Sequence, residues 1–293
     1  MVYEDIAQNK RNTFILIFVF LLVITALGWL IGEIYGDPYT AVIVAAVFAF
    51  VAAFSSYYFS DSIVIAVTGA KPADERHYRQ LHLSTEGMAL AAGIPKPKVY
   101  ILPGDSINAF ATGRNPRHSA IAVTEGALKK LNKVELEGVI GHEMSHIKNY
   151  DILISTVSAV LVGMIVIISD MATRSMFRSS ARRAAGKHGI VFIVIVILAA
   201  IIAPIAGTII KMAISRQREY MADGQAALLT RYPAGLISAL EKIKQDADAP
   251  APAQINRGLA HMYISVPKAM LSDNLFATHP PLEKRIERLK KQV

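Results

Sequence analysis

The stretch VELEGVIGHEMSHIKNYD, residues Val134–Asp151, decides how the rest of the chain is read. It reads as a helix that runs straight into the apolar segment beginning at Ile152. Within it His142 and His146 stand four residues apart. Residues at that spacing share one face of a helix, so two imidazoles can grip a single zinc ion from the same side. Glu143 lies beside them, where a carboxylate can act as general base toward a water molecule. The competing reading is a chance match between two histidines of a buried helix, and further ligands must decide between them.

The chain holds no cysteine. Disulfides, thiolate ligands and a cysteine nucleophile are thereby excluded, and His, Asp and Glu remain as protein donors. A catalytic zinc takes three protein ligands and keeps a fourth position open. Glu219 and Asp223, four apart in the stretch EYMAD, face the same way on a predicted helix. Glu219 is the candidate third ligand for one Zn2+ per chain, and Asp223 can orient the outer nitrogen of a histidine. Alternatively both are surface acids paired with Arg216 and Arg218 at ordinary helical spacing.

Of the 293 residues, 53% are hydrophobic and 18% charged, which is more apolar than a typical soluble domain. The excess is concentrated in residues 13–32, 38–60, 152–169 and 189–210, which contain no Asp, Glu, Lys, Arg or His. A membrane-crossing helix needs about 20 such residues, so four spans are expected. The first has an apolar run too long for a cleaved signal and no small-residue cleavage site, so it reads as a retained anchor. The chain then divides into two N-terminal spans (1–60), a first water-facing piece (61–151), a membrane hairpin (152–210) and a second water-facing piece (211–293). The net charge of +8 does not indicate nucleic-acid binding. The basic residues are scattered or lie beside the spans, where they set topology.

Helices are expected over 71–92, 134–151, 214–230, 234–245 and 282–292, with short strands at 98–102, 107–112 and 120–123 and a loop at 246–257. The fold class is a mainly α membrane protein of four transmembrane helices, carrying a water-facing α+β domain with a small sheet. Lys10 and Arg11 precede the first span, while Glu33 and Asp37 follow it, which places the N-terminus and both water-facing pieces in the cytoplasm. The basic loop of Arg174, Arg178, Arg182, Arg183 and Lys187 runs against that topology. The metal site supports it. His146 lies about 9 Å of helix rise before Ile152, and Glu219 about 13 Å after Ile210. If they share one ion, the hairpin between them returns to the side it left. None of the spans holds an ionisable residue, so no ion or proton pathway is visible.

These residues together resemble the HtpX family of membrane-integrated zinc metallopeptidases, in the gluzincin clan and related to the eukaryotic CAAX prenyl endopeptidases. The resemblance covers nearly the whole chain: four spans, the His142–His146 motif ahead of the third, and Glu219 to Asp223 after the fourth. Ile107–Gly113 is similar to the family's strand bordering the cleft, and Thr278-His279-Pro280-Pro281 to its late His-Pro motif. The resemblance implies a gluzincin-type peptidase domain in which His279 donates to the developing oxyanion and Arg285 also reaches the substrate. It also implies that Asn108 and Ala109 offer edge-strand backbone to an extended peptide. Misfolded membrane proteins, cleaved at the cytoplasmic face of the inner membrane, are the substrates it implies. From the residues alone, Thr278, Pro280 and Pro281 equally fit the start of a last helix, and Asn108 and Ala109 an ordinary buried strand. Two other functions compete. A non-catalytic zinc scaffold has no need of Glu143 beside its ligands. A prenyl-protein endopeptidase keeps the chemistry, but that family usually has more than four spans.

Overall fold

Two apolar helices open the chain. In the computed structural model, which describes residues 2–180, 215–246, 262–264 and 280–291, they are α1 (Val2–Tyr35) and α2 (Pro38–Tyr58). Asp37 starts α2 by accepting a hydrogen bond from the Thr40 amide at 3.2 Å, and Pro38 fills the first helical position, where no amide donor is needed. Phe14, Phe18, Leu22, Val47 and Phe50 stand more than half exposed on the outer faces. Both helices are long and apolar enough to cross a bilayer, which makes this a membrane protein. In lipid, apolar contact between helices gains little, so close backbone approach holds such a pair. Gly28 and Gly32 provide it: a Cβ at Gly28 would lie 2.3 Å from the Ala45 Cβ, and one at Gly32 would lie 2.5 Å from the Pro38 Cα.

The water-facing part follows through α3 (Ser60–Thr68), β1 (Lys71–Pro72), α4 (Arg79–Ala92), β2 (Lys98–Leu102), β3 (Ala109–Asn115) and β4 (His118–Thr124). The four strands lie in the order β1-β2-β4-β3, with β2 and β4 parallel and the outer pairs antiparallel. Then come α5 (Glu125–Lys130), α6 (Lys133–Lys148), α7 (Asp151–Ser180), α8 (Arg216–Thr230), α9 (Pro233–Asp246) and α10 (Leu282–Lys290). Leu136, Val139, Ile140, Met144 and Ile147 of α6 form the centre of the core, packed against Ile121 and Val123 of the sheet and Leu236 of α9. Leu16 and Phe20 of α1 and Ala49 of α2 pack with Leu153, Val157 and Leu161, so α7 joins the membrane pair.

Two expectations change, and a third lies partly outside the described residues. The helix expected from residue 71 begins only at Arg79. Lys71 and Pro72 pair with Ile101 and Tyr100 as an edge strand, and the Asp74 carboxylate closes a turn by accepting from the amides of Arg76 and His77. Second, the helix through the His-Glu pair does not run straight into the apolar segment: α6 and α7 meet at 85°. Tyr150 makes the corner with φ +60, a left-handed conformation no helix interior tolerates. Third, the expected span 152–169 falls within α7, whereas 189–210 and the loop after Asp246 lie outside the described residues. Among the described residues two helices are long and apolar enough to cross a membrane, or three if the bent α6–α7 pair is one span.

Candidate metal centre

The helix that carries the site is set at both ends. At its start Asn132 accepts from the Glu135 amide at 3.0 Å while the Glu135 carboxylate accepts from the Asn132 amide at 2.7 Å, a reciprocal cap that satisfies two otherwise orphaned donors. Ser238 and Lys242 of α9 bond the same carboxylate, each at 2.7 Å. One turn before His142, Gly138 lets the two helices touch: a Cβ there would meet the Leu236 amide nitrogen at 2.7 Å.

His142 and His146 face α8, and their Nε2 atoms are 3.2 Å apart. Glu219 comes in from α8, with one carboxylate oxygen 3.7 Å from His142 Nε2 and the other 3.5 Å from His146 Nε2. Among the described residues these three are a group able to hold a metal ion. Two ligands each about 2.0–2.1 Å from a tetrahedral zinc lie about 3.3 Å apart, close to all three separations.

The outer nitrogens are anchored as well. His142 Nδ1 lies 3.0 Å from Asp223 Oδ1 and His146 Nδ1 lies 3.0 Å from Asp151 Oδ2. An ionised carboxylate can only accept, so each Nδ1 carries the proton and each neutral ring turns a lone pair inward at Nε2. Two lone pairs and a carboxylate aimed at one point demand a cation. The charge environment agrees. Burial alone would lower the His146 pKa, but the hydrogen bond it donates to Asp151 and the charge of Glu219 outweigh it and raise it to about 9, a pull on positive charge that a bound cation satisfies at Nε2 in place of a second proton. The donor set of two imidazoles and one carboxylate therefore fits zinc.

Behind His142 sits Arg285. Its guanidinium bonds both oxygens of Asp223, through Nε at 2.9 Å and Nη2 at 2.7 Å, and Nη2 lies 3.3 Å from each nitrogen of His142. Burial opposes the charge on Asp223, yet the guanidinium holds its pKa down to about 2. The expected role of Arg285 at the substrate is corrected by this placement. It has no exposed surface, its Nε and Nη2 bond Asp223 and its Nη1 lies 3.6 Å from Glu219 Oε2, so it positions the ligands and their support from behind. Glu143, 3% exposed, lines the cleft with the ligands. Burial pushes its pKa upward against the nearby histidines, and the charge of Glu219 adds to the rise.

Glu219 and Asp223 are buried and so are not surface partners of the neighbouring arginines. Arg218 instead approaches Asp151, with Nε at 3.7 Å. The support of His146 by Asp151 was not expected: on a straight helix, five residues on, Asp151 would point elsewhere, and only the 85° corner returns it.

The strand-addition role of Asn108 and Ala109 is modified. The Asn108 carbonyl accepts from Thr124, and its amide donates to the Thr124 hydroxyl at 3.0 Å. The Ala109 carbonyl accepts from the Ile264 amide at 3.0 Å. That part of the β3 edge is thus used within the chain, and Ala111, two residues on, is the β3 residue that lines the cleft, together with Met262, Tyr263 and Ile264. His279 lies outside the described residues. Pro281 caps α10, its carbonyl accepting from the amides of Lys284 and Arg285, so the last helix begins just past this proline.

Comparison with known proteins agrees with this arrangement. The model of peptidase family M48 matches residues 75–293. A protease HtpX homolog of Dictyoglomus thermophilum is 44% identical over 290 residues, covering 98% of this chain and 94% of its own. One from Streptococcus pneumoniae is 41% identical over 299 residues, covering 99% of both chains. The crystal structure of S. mikatae Ste24p shares the fold with a TM-score of 0.50 at 20% identity, over 91% of this chain, which spans 61% of that longer one.

Proposed function

The chain belongs to peptidase family M48 and is a membrane metallopeptidase, and from that premise we propose that it cleaves membrane proteins at the cytoplasmic face of the membrane with zinc as its metal. One observation carries the chemistry: the inward atoms of His142, His146 and Glu219 converge at 3.2–3.7 Å, with Glu143 in the same cleft. When bound, zinc supplies a Lewis acid that polarises a carbonyl and lowers the pKa of a water toward 7.

The chain's own residues do the rest. Glu143, kept from bulk water, takes the proton of the attacking water and returns it to the leaving amine; its raised pKa suits both directions of transfer. Asp223 and Asp151 hold the two imidazoles in the tautomer the reaction requires. His279 donates to the oxyanion that forms on the scissile carbonyl. The substrate enters extended beside β3, pairing with the edge at Ala111. The site lies within two turns of the start of α7, whose apolar face packs on the membrane helices, which favours substrates tethered to the same bilayer. Removal of misfolded membrane proteins is the cellular role this reading supports, as it is for the HtpX resemblance.

The test compares detergent-solubilised wild type with Glu143→Gln on casein, each with and without a chelator. Cleavage should fall roughly 100- to 10,000-fold in the variant and vanish on chelation, while zinc stays bound to the variant. Equal cleavage by both proteins would rule out the mechanism.

A further inference from the structure

The first membrane helix does more than anchor. Asn9 of α1, 1% exposed, donates from its amide nitrogen to Asp151 Oδ1 at 2.7 Å and to the Asn149 carbonyl at 3.0 Å. Asp151 turns its other oxygen to His146 Nδ1 at 3.0 Å. We propose that Asn9 is a positioning residue of the metal centre, holding Asp151 so that His146 presents its inner nitrogen to the ion. The inference rests on the zinc reading of the site and extends it to a residue 137 positions from the ligand it serves.

Several observations point the same way. Asp151 opens α7 just past the corner, so its direction is fixed by whatever holds the corner. α6 leaves its last carbonyls without intrahelical donors, and Asn9 satisfies that of Asn149. Lys10, the next residue of α1, places its ammonium 4.5 Å from the centre of the Tyr150 ring, over the residue that makes the left-handed turn. Asn9 thus bonds both sides of the break and Lys10 covers its middle. The side-chain oxygen of Asn9 is buried with no hydrogen-bond partner, a cost that a residue selected only for packing would not carry. Supporting groups of this kind, one bond beyond a ligand, typically change metal affinity 10- to 100-fold when removed.

The alternative is that Asn9 only glues α1 to α7. Zinc affinity separates the two, measured by chelator competition on the full chain in detergent for wild type, Asn9→Leu, Asp151→Ala, their double variant, His146→Ala and Thr13→Val. Asn9→Leu keeps the side-chain volume and removes the donor. Thr13 is buried on the same helix and bonds the Asn9 carbonyl, so Thr13→Val reports on helix packing alone. Asn9→Leu should weaken zinc about tenfold and Thr13→Val less than twofold. The double variant should bind no more weakly than Asp151→Ala, because Asn9 acts through that carboxylate. Zinc affinity of Asn9→Leu within twofold of wild type, with His146→Ala disabled, would overturn the inference alone. Unchanged affinity in His146→Ala would overturn the zinc site on which it rests. A second measurement needs no variant. Coupling is reciprocal, so adding zinc to the wild type should slow amide exchange at residues 9–13 of α1; exchange there that ignores zinc would also sink the proposal.

Discussion

At the scale of single residues, the site is a short charge balance around two imidazoles. Asp223 is the clearest case. Its pKa is held near 2 when folded against about 3.9 when unfolded, so its ionised form stabilises the fold. That contribution, about 2–3 kcal/mol, is present above pH ~4 and is lost as pH falls toward 2. Metal-free wild type and Asp223→Asn should therefore differ in melting temperature at neutral pH, and the gap should narrow as the medium is acidified through that window. A constant gap would mean the carboxylate titrates normally and the Arg285 contact contributes nothing. The sequence made His142, Glu143, His146, Glu219 and Asp223 legible because each stands at helical spacing from another. Arg285 could be named only from a resemblance, and its layer was misplaced: nothing in one arginine of a basic last helix signals complete burial against an acid 62 residues away. Asp151 was legible as a residue but not as a partner of His146, since its direction depends on a backbone turn.

At the scale of elements, the decisive feature is how closely α6 may approach its neighbours. The sequence shows Gly138 inside a helix, where glycine costs roughly 1 kcal/mol relative to alanine; the structure gives the reason, since a methyl group there would collide with the backbone of Leu236 on α9. Gly138→Ala recovers that propensity but overpacks a contact between two backbones, which costs about 1–3 kcal/mol. The net expectation is a lower melting temperature with weaker activity, because His142 lies one turn further on. Gly87, in α4, is the matched control, with nothing within 4 Å of an added Cβ. Gly87→Ala should raise the melting temperature by the propensity gain alone. If both substitutions stabilise, the helix contact is not tight. Helix and strand positions were largely readable from periodicity and from Gly and Pro punctuation. The α6–α7 corner was not: Asn149 is only a weak stop signal, Tyr150 is none, and the left-handed turn is held by contacts from α1 that no local window contains.

At the scale of the whole molecule, the architecture makes a geometric demand on topology. α1 and α2 pack as a hairpin, so if both cross the bilayer the turn at Gly36 and Asp37 lies on the opposite side from the N-terminus and the described water-facing elements. The metal centre draws on α1, α6, α7, α8 and α10, and Asn9 must lie on the same side as the ligands to reach Asp151. The proposed cytoplasmic placement of that side rests on the positive charge of Lys10 and Arg11 beside the first span. A chain without cysteine allows a clean measurement. Tyr39→Cys sits just past the turn between the first two helices, at 84% exposure, while Leu90→Cys on α4 and Leu228→Cys on α8 are 76% and 77% exposed. A membrane-impermeant maleimide should label Tyr39→Cys from outside intact cells and leave the other two untouched; inverted vesicles should give the reverse. Leu90→Cys and Leu228→Cys on opposite sides would contradict the shared site itself, because α6 and α8 could not then present His142, His146 and Glu219 to one ion. Both labelled from outside would leave the site intact but move its substrates to the other face of the membrane.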